Sequence, residues 1–138
     1  MAVLIDTSFL VALAVTSDTN HNVAQKAISE LRKTSLVLPV PVLPETFYMV
    51  SVRTHYRAAV KIYTYIQNAA FRIEPLLPED RLRMGDIMVK YLDTELDFVD
   101  MAIMAISERL NITQVYTFDH RDFSIFRPQH CPHLELLP

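Results

Sequence analysis

Met1-Ala2-Val3-Leu4-Ile5-Asp6-Thr7-Ser8 opens the chain with an apolar, partly β-branched run that shows no polar alternation and ends on an acid. Such a run predicts a strand buried on both faces, the mark of a central strand in a parallel sheet. In open α/β sheets ligands gather beyond the carboxyl ends of the strands. Asp6 therefore stands where chemistry is expected, and Thr7 and Ser8 can bond local backbone or a ligand. Asp6 also has an ordinary alternative, because Asp is a favoured helix cap and Phe9 to Ala14 reads as a helix. Whether other acids occupy equivalent places decides between the two.

At 138 residues the chain fits one domain spanning 1–138, and a hydrophobic fraction of 51% favours a compact core over disorder. The single Cys131 excludes an internal disulfide and a Cys-rich zinc site, so a cytoplasmic protein is expected. A basic leader is absent, Asp6 interrupts the first apolar run, and no later stretch reaches the ~20 apolar residues of a spanning helix. Neither export nor membrane insertion is expected. Gly85 is the only glycine, which rules out the glycine-rich phosphate cradles of the Walker and dinucleotide type. Phosphate would have to be handled by a metal ion or by basic side chains. The formal charge of -3 argues against a nucleic-acid binder only weakly. Carboxylates gathered on a metal would leave the rest of the chain slightly basic.

Further along, Val23, Ala24, Ala27, Ile28 and Leu31 recur at helical spacing after a possible cap at Thr19 or Asn20, with His21 read as a surface residue. Leu36-Val37-Leu38 reads as a short buried strand ended by Pro39. Pro44 suits the first turn of a following helix, which places Glu45 near the strand exit, where it has a rival role in complementing the helix dipole. Thr46 to Ala70 reads as helix broken near His55-Tyr56. Its aromatic residues Phe47, Tyr48, Tyr56, Tyr63 and Tyr65 suggest a helical hairpin that offers an apolar face to a second copy of the chain. Arg53, Arg57 and Lys61 recur every fourth residue as a candidate basic stripe along a substrate path, with a solvated face as the alternative.

Phe71 to Leu76 predicts an edge strand with Arg72 and Glu74 facing water, and Pro78 opens a helix through Tyr91. Phe98 to Leu110 carries the clearest helical stripe, with Asp97 at a capping position and Asp100 three residues on. Gln114 to Phe118 predicts a strand that ends on Asp119, in what would otherwise be an ordinary polar turn. Leu134 to Leu137 allows a last strand. His130, Cys131 and His133 lack the companions a metal site needs.

Each acid has an ordinary explanation alone, yet Asp6, Glu45 and Asp119 each follow a predicted strand and Asp100 opens a helix. In a parallel sheet all strand exits share one edge, and carboxylates that meet there repel unless they share protons or bind a cation. Oxygen-only ligands point to Mg²⁺ or Mn²⁺, and such a site serves mainly phosphoryl chemistry.

In order and spacing, Asp6-Thr7-Ser8, Glu45 after a Pro-rich link, Leu96-Asp97-Phe98-Val99-Asp100-Met101-Ala102 and Thr117-Phe118-Asp119-His120-Arg121-Asp122-Phe123 resemble the PIN-domain ribonucleases. The likeness is greatest to the VapC toxins of prokaryotic toxin-antitoxin pairs and covers essentially the whole chain. Met101 stands where that family commonly has Ala. The resemblance implies a three-layer α/β/α sandwich with a mainly parallel sheet, Mg²⁺-dependent endoribonuclease activity, dimerisation, and an antitoxin that blocks the acidic site. Carried over by position, it makes Asp6, Glu45, Asp100 and Asp119 the catalytic metal ligands and has Thr7 and Thr117 support them by hydrogen bonding. It leaves open whether Asp93, Asp97 or Asp122 joins them.

Readings from other classes fit less well. An aspartyl phosphatase would want an acid where Ser8 stands, and a receiver-type signalling domain would want paired amino-terminal acids and a lysine after a later strand. A non-catalytic module with an acidic pocket remains the alternative if the acids are caps.

Overall fold

The computed structural model describes residues 1–138. Five strands alternate with seven α-helices. In chain order they are β1 (Ala2–Ile5), α1 (Thr7–Ala14), α2 (His21–Glu30), β2 (Ser35–Pro39), α3 (Val42–Arg53), α4 (Tyr56–Asn68), β3 (Phe71–Glu74), α5 (Pro78–Lys90), α6 (Phe98–Leu110), β4 (Gln114–Tyr116), α7 (Arg121–Ile125) and β5 (Glu135–Leu137). A 3₁₀ turn at Leu92–Thr94 links α5 to α6.

The sheet order is β3-β2-β1-β4-β5 and every pairing is parallel. Leu4 of β1 lies between Val37 of β2 and Val115 of β4. Val3, Leu4 and Ile5 are fully buried, as an unalternating central strand requires. From β1 the chain steps through β2 to β3, then returns across the sheet to β4 and β5. Right-handed crossovers in opposite directions place α1 to α4 on one face and α5 and α6 on the other. The reversal falls between β1 and β4, which makes their exits the switch point where a crevice forms.

One core cluster joins both faces to the sheet. Helix α6 is buried without interruption from Val99 to Ser107, the pattern of a helix enclosed on all sides. The expected break in the long helical stretch falls at Thr54-His55, where His55 Nδ1 accepts the Ala58 N–H at 3.1 Å and caps α4. None of the helices is long and apolar enough to cross a membrane.

Three local expectations need correction. Glu74 does not face water: it is 5% exposed, because Arg109 reaches it from α6 at 2.9 Å and Arg72 covers it at 2.9 Å. Strand β4 stops at Tyr116 rather than Phe118, since Thr117 Oγ1 and the Phe118 N–H turn toward Asp6 and Ser8. The polar turn after Asp119 runs on into α7, held at its end by the Phe126 N–H to Asp122 O bond of 3.2 Å.

Candidate active site

Asp6 occupies the residue before α1, yet its carboxylate makes no capping bond to that helix. It is 3% exposed and turns to β4 instead. Its Oδ2 accepts from Thr117 Oγ1 at 2.7 Å and from Ser8 Oγ at 3.0 Å. Those hydroxyls are fixed in turn, Ser8 Oγ by the Phe118 N–H at 2.9 Å and Thr117 Oγ1 by the Asp119 N–H at 3.0 Å. The β1 and β4 exits are thus stitched together around one carboxylate. Burial raises the Asp6 pKa against the pull of Thr117, the Thr7 backbone and Ser8, and the charge of Asp119 raises it further.

Asp97 caps α6, its Oδ2 accepting the Val99 N–H at 3.0 Å and the Asp100 N–H at 3.3 Å. That leaves Asp100 inside the first turn with its side chain free. Asp100 is 6% exposed, and burial, followed by the nearby Asp6 charge and contact with Asp122, pushes its pKa up to about 9. Glu45 lies half-buried in the first turn of α3. Burial raises its pKa, the Thr7 hydroxyl beside it opposes the rise, and Asp97, Asp6 and Asp119 add to it. Thr7 Oγ1 approaches Glu45 without reaching bonding geometry and is otherwise a buried hydroxyl with no partner. Asp119 stands exposed at the mouth.

None of the ion pairs in the protein reaches Asp6, Glu45, Asp100 or Asp119. Acids that crowd one another without a cation partner, with the pKa values of Asp6, Glu45 and Asp100 raised, form a site that favours an incoming positive charge. The donors are all oxygen, which suits Mg²⁺ or Mn²⁺ rather than zinc. No three of them draw close enough for an all-protein cage. A Mg²⁺ ion tolerates this, because it retains several waters when bound by few carboxylates. The orphaned Thr7 hydroxyl fits the same picture of an unsaturated polar pocket.

A sequence profile of the PIN domain matches residues 3–127. The chain belongs to the PIN-domain family. Ribonuclease VapC26 of Mycobacterium tuberculosis is 25% identical to this PIN domain over 125 residues, covering 91% of the chain and 92% of the relative. The 23S rRNA-specific endonuclease VapC20 of the same organism is 27% identical over 122 residues, 88% of the chain and 92% of the relative. The crystal structure of VapC20, described as a sarcin-ricin loop cleaving toxin, superposes with a TM-score of 0.82 at 25% identity, covering 94% of this chain and 98% of that one. The VapBC2 complex of Rickettsia felis bound to a DNA fragment from its promoter shares the fold, with a TM-score of 0.73 at 15% identity over 99% of this chain and 97% of that one.

Of the expected basic stripe in this PIN domain, one member is engaged in an ion pair and two lie exposed on α4. Arg53 lies at the far end of α3 from Glu45, roughly 12 Å along the helix, and pairs with Asp18 at 2.8 Å. Arg57 and Lys61 are exposed on α4. A cavity of about 490 Å³ lies apart from the acids and is lined by Leu13 and Ala14 of α1, His21 and Ile28 of α2, and Lys61 and Tyr65 of α4. His21 is partly covered there, its Nδ1 2.8 Å from Ala12 O. His130, on the opposite side of the sequence, contacts Ile112 O at 2.8 Å and Cys131 Sγ at 3.7 Å and gathers no acid. Sequence reasoning missed Ser8 as a partner of Asp6. A hydroxyl two residues past the acid was the available signal.

Proposed function

We propose that this PIN-domain protein is a Mg²⁺- or Mn²⁺-dependent endoribonuclease, the cytoplasmic toxin of a toxin-antitoxin pair, cleaving unpaired RNA. The observation that carries the reading is the group of buried carboxylates, Asp6 and Asp100 with Glu45 and Asp119 beside them, left without any cationic partner. The relatives named ribonuclease and 23S rRNA-specific endonuclease support the substrate class, and the VapBC complexes among its structural neighbours support a protein partner.

In this reading Asp6, Glu45, Asp100 and Asp119 would hold the cation, directly or through waters it retains. A divalent ion held there would supply water activation and offset negative charge on the phosphodiester. Thr117 and Ser8 fix the rotamer of Asp6, so that donor is oriented before the ion arrives, and the Thr7 hydroxyl lies beside Glu45. Ser-His and Cys-His nucleophile pairs are absent from the pocket, which favours direct attack by water over a covalent enzyme intermediate. Arg57 and Lys61, with Arg53 where it can leave Asp18, supply weak phosphate contacts beyond the acids.

The apolar cavity between α1, α2 and α4 suits an apolar element of the antitoxin, whose basic side chains then reach the acids. On the outer face of the helical hairpin Tyr48 and Tyr56, each 68% exposed, offer a surface for a homodimer. RNA cleavage by purified protein should require Mg²⁺ or Mn²⁺ and vanish on chelation. Cleavage that survives thorough chelation would overturn the metal chemistry. Metal uptake without any cleavage of RNA would leave a binding module instead. Growth arrest on expression without the antitoxin, relieved by Asp100→Asn, tests the toxin role.

A further inference from the structure

We infer that Asp122, acting with Arg121, is a positioning residue that sets the distance between Asp100 and Asp6, and that it touches neither metal nor RNA. Asp122 lies in the first turn of α7 and is 6% exposed. Both of its oxygens are occupied. Oδ2 accepts the Asp97 backbone N–H at 2.9 Å, and Oδ1 accepts from Arg121 Nη1 at 2.7 Å. Arg121 Nη2 also donates to the Thr94 carbonyl at 3.0 Å. Two grips therefore hold the segment entering α6, one on each side of Glu95, whose φ of 55° puts it in the left-handed region. Asp97 spends its own carboxylate on the Val99 and Asp100 N–H groups, so the first turn of α6 follows wherever the Asp97 backbone is held.

The other end of the same short segment is Thr117, whose hydroxyl donates to Asp6 at 2.7 Å. Residues 117–122 thus grasp Asp6 at one end and the start of α6 at the other, spanning the two faces of the sheet that supply the acids. Asp122 differs from Asp6, Glu45, Asp100 and Asp119 in carrying its own cation. A carboxylate placed beside Asp100 without one would add repulsion to a site already crowded with charge. With Arg121 attached, each of its oxygens already holds a donor, and it serves as an acceptor for backbone beside Asp100.

The inference rests on reading the acids as a metal centre, so its test uses measurements that need no RNA. Three variants separate the grips. Asp122→Ala removes the grip on the Asp97 N–H and the anchor of Arg121, Asp122→Asn keeps an acceptor for the Asp97 N–H but turns an amide toward Arg121, and Arg121→Ala removes the grip on Thr94 and the cation on Asp122 while leaving the Asp97 grip in place. Hydrogen exchange at the Asp97 amide, Mn²⁺ affinity by calorimetry and thermal melting are read for each. In Asp122→Ala the Asp97 amide should exchange at least about tenfold faster and Mn²⁺ affinity should fall about 10–100-fold, the usual range for a partner of a ligand. Asp122→Asn should restore most of the amide protection, and Arg121→Ala should weaken Mn²⁺ only a few-fold, by about 2–5-fold. RNA cleavage should lose kcat with KM steady.

Loss of Mn²⁺ binding in Asp122→Asn as complete as in Asp100→Asn, with the Asp97 amide still protected, would make Asp122 a ligand and overturn the assignment. Wild-type Mn²⁺ affinity in Asp122→Ala alongside a freely exchanging Asp97 amide would break the link between grip and site. Should Asp122→Ala fail to fold, Arg121→Ala decides, and wild-type values for both quantities there would overturn the proposal. Wild-type protein that binds Mn²⁺ but cleaves no RNA counts against the ribonuclease reading alone.

Discussion

Two groups of buried acids sit in this small protein and they are treated in opposite ways. Glu74 and Asp80, 5% and 1% exposed, share Arg109, which reaches both at 2.9 Å and also donates to Pro75 O at 3.3 Å. Asp6, 3% exposed, receives hydroxyl contacts, and Asp100, 6% exposed, meets the carboxyl of Asp122; neither receives a guanidinium or ammonium. The first group closes β3 onto α5 and α6, and its charges cancel inside the fold. The second, at the switch point, has no cation of its own, so its acids are eased either by holding protons or by a cation from outside. Burial alone thus says little about an acid. The presence or absence of a built-in cation separates a structural carboxylate from one reserved for a ligand.

Exchanging the consequences of the two groups is the way to break this contrast. Asp100→Asn keeps size and removes a group that can ionise for a cation, so the fold should persist while Mg²⁺ affinity and RNA cleavage fall by orders of magnitude, roughly 10²-fold or more. Melting curves beside a cleavage assay check it, and a variant that cleaves normally would move the site elsewhere. Arg109→Ala should do the reverse. It strands Asp80 without its cation and leaves Glu74 with Arg72 alone, and should cost about 3–5 kcal/mol in denaturant unfolding, while the molecules that remain folded cleave normally.

The third contrast is with pH. In the metal-free fold Asp100 titrates at about 9, against ~3.9 in an unfolded chain, and Asp6 and Glu45 are raised as well. The folded state then holds protons that the unfolded state has released. The stability they contribute is complete below about pH 4 and declines as pH climbs toward 9. Thermal midpoints of chelated protein should therefore drop between about pH 5 and pH 9, and Mn²⁺ should flatten the slope by favouring the charged forms. A midpoint that rises over that interval without metal would contradict the crowding of these acids. The smallest effect belongs to Asp97→Asn, because Asn caps nearly as well as Asp. Stability should change by less than about 0.5 kcal/mol and cleavage should largely survive. An inactive Asp97→Asn would assign the chemistry to the cap instead of Asp100.

Much of the frame was legible because it rests on local chemistry. The unalternating Val3-Leu4-Ile5 announced a central strand, Pro44 and Asp97 marked helix starts, and the recurrence of acids after strands drew attention to one edge of a parallel sheet. What escaped depends on pairs far apart in the chain. Nothing near Glu74 suggests burial, because its partner Arg109 arrives from another helix, and the sequence leaves Asp122 open between a turn residue and a metal ligand without showing that it meets the backbone of Asp97. Ser8 was visible only as a local hydroxyl, since its contacts with Thr117 and Phe118 cross between strands. Periodicity reports which face of an element is apolar, and it is silent on which distant polar group will be the partner.

The placement of β1 between β2 and β4 also governs when the protein can become active. Strand β2 follows β1 closely, but β4 is separated from it by the whole of α2 to α6, and Thr117 must come back to Asp6 across that interval. Contacts of such long sequence separation form late in folding, since loop closure precedes any reward. On the ribosome, at roughly 5–20 residues per second, the stretch between the two exits takes on the order of 10 s to synthesise. Until β4 docks, Asp6 lacks the Thr117 hydroxyl and Asp119 has no fixed place. Growing chains therefore carry an incomplete site, and hydrolytic capacity arrives at the end of folding as a single late event.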